Sequence, residues 1–250
     1  MPALAHGRSE VDQCDRAIYL LIDGKLLDAE AGCLKCIEYH PESSRAHNCM
    51  GIVRGVQGRV AEAARYFRAA IALEPQSIEA HNNLAAMILR DPAQDPRLAC
   101  THLTVALSHD PTYADARENR VVCAIEVAAR LGSRDQETNQ RAQLLRQAEA
   151  DLERLETTQT STATFALRRA QLALARGHTE DAKEILRRCL SDRTHEASCA
   201  FELATIHLQT GECAKSLSLF DRAVRTDDED LKAAAVQSLE AARQLCRELQ

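Results

Sequence analysis

Small and turn-forming residues recur every 34 positions along this 250-residue chain. Stepping back 34 residues from Gly51, Gly58, Ala63 and Pro75 lands on Ala17, Gly24, Ala29 and Pro41. Stepping forward reaches Ala85 directly, and Ala99, Leu103 and Pro111 once two extra residues are allowed in the turn DPAQDPR. Farther along, Ala170, Gly177, Ala182 and Leu186 are followed 34 residues later by Ala204, Gly211, Ser216 and Phe220. A fixed period of this length is the mark of stacked units, each burying its apolar face against its neighbours.

Within each unit the apolar spacing is helical. Ala63, Phe67 and Ala70 sit at i, i+4 and i+7, as do Ser216, Phe220 and Ala223, which puts each set on one face. A unit therefore reads as two helices joined by a Gly-containing turn. The Gly or Ala at 17, 51, 85, 170 and 204 lets the two helices of a pair cross closely. Pro41, Pro75 and Pro111 cannot continue a helix and mark the passage to the next pair.

These residues carry a resemblance to the tetratricopeptide repeat (TPR) family, whose unit has the form W-x2-L-G-x2-Y, then A-x3-F, then P. Met50-Gly51, Ala63-x3-Phe67 and Pro75 fit, while His47 stands where Trp is usual and Arg54 where Tyr is usual. The resemblance covers roughly 10–113 and 163–230. It implies an all-α, right-handed α-solenoid of about six TPR-like helix pairs plus a C-terminal capping helix. The expected divisions are a disordered 1–9, three repeats over 10–113, a degenerate repeat with elongated helices over 114–162, two repeats over 163–230 and a capping helix over 231–250. In the degenerate segment the turn glycine comes late, at Gly132, and the Thr-rich TTQTSTAT invites the alternative of a hinge.

Composition narrows the function. A net charge of −6, no Trp and 3% aromatic residues argue against a nucleic-acid surface or stacking platform. No apolar run of eighteen residues is present, so membrane insertion is not expected. Arg outnumbers Lys 26 to 5, which reads as genome composition and not as a recognition device. The opening MPALAHGRSE has no apolar run before a cleavage site, and ten cysteines in a chain this long need not be staples. A reducing, cytoplasmic location is the expectation.

Cys33 and Cys36 form a CxxC with His40, His47 and Cys49 close by, so a zinc or thiol site has to be weighed. The repeat register instead places Cys33 where Phe67 falls and Cys36 where Ala70 falls, as small core residues; Cys189 also matches Ala70. Gly51, Gly55 and Gly58 follow no strand and imply helix packing and a turn. The run Asp227–Asp230 reads as the cap of the last helix. No catalytic motif is found, and neither an enzyme activity, a metal nor a cofactor is expected.

The resemblance implies a binding scaffold, with its groove on the outward side of each unit's first helix. The candidate peptide-binding residues there are Ile18, Leu21, Ile22, Asn48, Ile52, Val56, Asn82, Asn83, Leu89, Arg90, Asn119 and Val122. Asn amides can pair with an extended backbone, and Ile and Leu can form pockets for an amphipathic helix. The family's carboxylate clamp needs Lys and Asn one turn apart, and the matching pairs here are Cys14 with Ile18, Asn48 with Ile52 and Asn82 with Ala86. The expected partner is therefore a protein segment held otherwise, in a non-catalytic adaptor; the alternative is self-assembly into a homo-oligomer, and a zinc or thiol enzyme comes third.

Overall fold

The computed structural model describes residues 14, 16–131, 135–158 and 162–248, and every regular element among them is a helix. The expected disordered 1–9 lies outside them, as does the middle of the Thr-rich stretch. Helix α1 covers 16–22. It is followed by α2 (Leu26–Tyr39), α3 (Ser44–Val56), α4 (Val60–Leu73), α5 (Ile78–Arg90), α6 (Pro96–His109) and α7 (Ala114–Arg130). Then come α8 (Asp135–Thr158), α9 (Thr162–Ala175), α10 (Thr179–Cys189), α11 (Glu196–Gln209), α12 (Cys213–Ala223) and α13 (Glu229–Glu248). The chain divides into two compact units, 1–127 and 128–250. Within each unit helices pack on their sequence neighbours, from α2 through α6 and from α8 through α13, as in an α-solenoid. Helices α7 and α8, at 17 and 24 residues, are longer than the 11 to 14 residues of α2–α6 and α9–α12. No described helix is long and apolar enough to cross a membrane.

The repeat period shows in the backbone. Gly24, Gly58, Gly177 and Gly211 all have φ between +73° and +82°, and each stands in the turn between the first and second helix of a pair. A side chain is strained there, which is why the period keeps glycine at this place. The crossing residues Ala17, Gly51, Ala85, Ala170 and Ala204 are all buried. At Gly51 the helices touch: a Cβ built there would lie 2.5 Å from Cε1 of Phe67, the aromatic plug of α4.

Both departures from the family pattern are repaired by polar bonds. His47, in the place of Trp, directs Nε2 at the carbonyl of Pro41, 2.9 Å away. His81 makes the same bond to Pro75 at 3.1 Å, and Arg117 donates to Pro111, so the first helix is tied to the preceding turn in three successive repeats. With Nε2–H spent on Pro75, His81 accepts at Nδ1 from His102, 2.9 Å away, and burial holds His102 below the ordinary imidazole pKa. Arg54, in the place of Tyr, is nearly buried and donates to Glu30 of α2 at 2.6 Å and to Gln57 at 2.7 Å. The Arg54 bond, then one that Gln57 Nε2 donates to Glu30 at 2.7 Å, holds the Glu30 carboxyl below its usual pKa.

The second unit has a matching polar centre. Glu212, at the start of α12, accepts from Lys183 at 2.7 Å, Lys215 at 2.6 Å and Thr210 at 3.0 Å, and contacts His207 Nδ1 at 2.9 Å. The Lys183 bond, then those to Lys215 and His207, push its pKa well below the ordinary carboxylate range. A carboxylate depressed in the folded state adds stability above its unfolded pKa of about 4.3 and loses it as the pH falls toward the folded value. The melting temperature should therefore drop below about pH 4, and Glu212→Gln should flatten that part of the profile.

The expectation that the cysteines stay reduced is corrected by the structure: all ten are bonded, in five pairs. These are Cys14–Cys36, Cys33–Cys49, Cys100–Cys123, Cys189–Cys199 and Cys213–Cys246, with Cα separations of 5.7 to 6.1 Å. Their burial is as the repeat register implies, since Cys33, Cys36 and Cys49 are fully enclosed. The CxxC of α2 serves two directions, Cys36 toward Cys14 ahead of α1 and Cys33 toward α3. With both sulfurs bonded, neither is a thiolate for a metal or a nucleophile, which removes the zinc or thiol site considered for Cys33, Cys36 and His40.

Candidate functional site

Helices α1, α3 and α5 bring the predicted groove residues to the first unit, and α7 adds two more. Three are exposed: Ile22 at 76%, Val56 at 62%, and Arg90 at the end of α5. Ile18, Leu21, Ile52, Leu89 and Val122 are half-buried. Ile18 with Ile22 on α1, and Ile52 with Val56 on α3, are i, i+4 pairs, so each helix presents one packed and one open apolar side chain on the same face.

The four asparagines also bond one another. Asn48 and Asn82 are buried, while Asn83 and Asn119 are half-buried. Asn83 Nδ2 donates to Asn48 Oδ1 at 3.0 Å, and Asn119 Nδ2 donates to Asn82 Oδ1 at 2.9 Å. Each amide thus spends part of its capacity on another, linking α3 to α5 and α5 to α7. The sequence carried a signal for this: Asn48 and Asn82 are one period apart, and Asn83 lies beside the second.

The second unit holds a cavity of about 730 Å³ that sequence reasoning missed. Leu145, Ala142, Leu174 and Ala175 supply apolar lining, and Arg141, Arg146 and Arg176 supply cationic groups beside the His178 ring. Arg176 is held by Glu149 at 2.6 Å and by the carbonyl of Leu145, while Arg141 Nε donates to the carbonyl of Ala128. The pairing depresses the Glu149 pKa. The signal was faint because Arg141 and Arg146 come from α8, where the 34-residue pattern lapses.

The tetratricopeptide repeat family model matches residues 50–95 and 167–231, one stretch in each unit. Tetratricopeptide repeats thus occur in both units of the chain. No curated protein matches it by sequence. Among solved structures this TPR chain is similar to a thermophilic TPR protein of Thermus thermophilus, at 20% identity and a TM-score of 0.63, over 79% of this chain and 99% of the other. It is also similar to a TPR protein of Parabacteroides merdae, at 16% identity and a TM-score of 0.68, over 96% and 89%. PilW, described as a widely conserved type IV pilus biogenesis factor, aligns at 18% identity and a TM-score of 0.65, over 90% and 98%. At these identities the likeness is one of fold.

Proposed function

We propose that the protein is a non-catalytic interaction scaffold that holds a peptide or amphipathic helix of a partner protein against the first-helix face of its N-terminal repeats. The observation that carries this reading is the exposure of Ile22 and Val56 one turn from the half-buried Ile18 and Ile52. Open apolar side chains on a floor already ordered by neighbours suit an incoming apolar stripe, because little further entropy is lost on docking. The asparagine clasps support it by holding successive first helices in place. The cationic cavity of the second unit would serve as a second contact, for acidic side chains of the same partner.

Because both side chains are exposed, Ile22→Asp with Val56→Asp should leave the melting temperature unchanged. It should weaken partner binding about ten-fold or more, read by co-purification from native lysate followed by titration of the recovered partner. Retained binding in the double variant would sink the groove reading. A second reading, self-association, is favoured by Tyr19, Leu27 and Tyr39, which are 64% to 80% exposed on α1 and α2. Analytical ultracentrifugation separates the two: an oligomer dispersed by Tyr19→Glu and Leu27→Glu supports the second.

A further inference from the structure

The five disulfides follow a rule of the fold. Four of them join the second helix of one pair to the next helix along the stack: α2 to α3, α6 to α7, α10 to α11 and α12 to α13. The fifth, Cys14–Cys36, closes the first pair.

Three of the inter-repeat bonds can be laid on the repeat spanning 44–77. On the second helix, Cys100, Cys33 and Cys189 take the places of Ala64, Phe67 and Ala70. Their partners on the following first helix, Cys123, Cys49 and Cys199, take the places of Val53, Cys49 and Ala46. As the position climbs one turn on one helix it descends one turn on the other. These are successive rungs of a single antiparallel helix interface, used once at each of three repeat junctions.

Cysteines serving only as small core residues have no reason to meet one another. Here each of ten has a cysteine opposite it on the neighbouring helix, at a Cα separation suited to a disulfide. The composition supplies the need. With no Trp and four Phe, the core is built largely of alanine, which buries little apolar surface per residue. In the first repeat Cys33 stands where the aromatic plug Phe67 stands in the second, so a covalent link replaces a packing contact.

From this placement we infer that the working form of the protein is the five-cystine chain, folded and used in an oxidising compartment. Disulfides of this number persist where thiols are not kept reduced. Each bond forms as two thiols lose two protons and two electrons to an external disulfide, through a mixed disulfide, and that external disulfide leaves as two thiols. The inference does not depend on the groove reading.

The test is made on the protein as its own cells make it. Cells are fractionated and lysed in N-ethylmaleimide without reductant, and the chain is analysed by intact mass and peptide mapping. The expected result is a chain outside the cytosolic fraction, without adducts, about ten mass units lighter than the reduced chain, with peptides joined in these five pairs. Alkylated cysteines, other pairings, or recovery in the cytosolic fraction would each overturn it. The bonds should also differ in access. Cys100 and Cys213 are partly exposed, whereas all six cysteines of the other three pairs are buried. Mild reductant should therefore open Cys100–Cys123 and Cys213–Cys246 first; random opening would contradict this placement.

Discussion

Reduction of the five cystines is expected to unfold both units under conditions where the oxidised chain stays folded. Each bond closes a short segment, with sequence separations from 10 to 33 residues. A native disulfide in this range is worth about 2–4 kcal/mol. Even with strong non-additivity, the loss of five exceeds much of the roughly 5–15 kcal/mol that separates a folded domain from its unfolded chain. The repeat architecture sharpens the effect, because each repeat touches only its neighbours and four of the five bonds lie at those junctions. Circular dichroism melts with and without a phosphine reductant measure it. Paired replacement of Cys33 and Cys49 by alanine should destabilise the first unit and leave the second nearly unchanged, since the bond and its neighbours lie within 1–127. An unchanged melt on full reduction would mean that alanine packing alone sustains the fold.

Phe67→Ala is expected to cost about 3–5 kcal/mol. Its ring is 1% exposed and fills the space left by the missing side chain of Gly51. The reciprocal substitution tests the same contact from the other side. In an ordinary helix Gly→Ala gains up to about 1 kcal/mol. At Gly51 the new methyl would sit 2.5 to 2.9 Å from three ring atoms, and overpacking of that kind costs about 1–3 kcal/mol. The steric loss outweighs the propensity gain, so Gly51→Ala should destabilise. Combining it with Phe67→Leu should lose less than the two single changes together, because the smaller side chain admits the methyl. Urea unfolding of the four proteins gives the coupling directly. Strict additivity would show that ring and glycine do not share one site.

What the amino-acid order made legible was whatever a single residue decides locally. The turn glycines at 24, 58, 177 and 211 were visible because a positive φ excludes most other residues, and the crossing positions because bulk is intolerable there. Phe67 and the buried state of Cys33 and Cys36 followed from the period alone. The disulfides did not, because pairing is a property of two helices and the register was read one repeat at a time. Treating Cys33 as a stand-in for Phe67 was right about its burial and silent about Cys49 opposite it. The asparagine pairing is of the same kind: an amide on a first helix suits a ligand backbone, and an amide on the next first helix also bonds it, as Asn83 does with Asn48.

The staples also bear on how the molecule behaves under tension. A force applied to the two ends of a solenoid normally peels it open and lengthens the chain by about 3.4 Å for every residue freed. Here the overlapping bonds Cys14–Cys36 and Cys33–Cys49 enclose the first two and a half helices, and separate bonds enclose 100–123, 189–199 and 213–246. Residues inside those closed segments are shielded from the pull even when their helices have melted. The extensible length is confined to the intervals between them, so a stretched chain stops short and keeps its repeats in order for refolding.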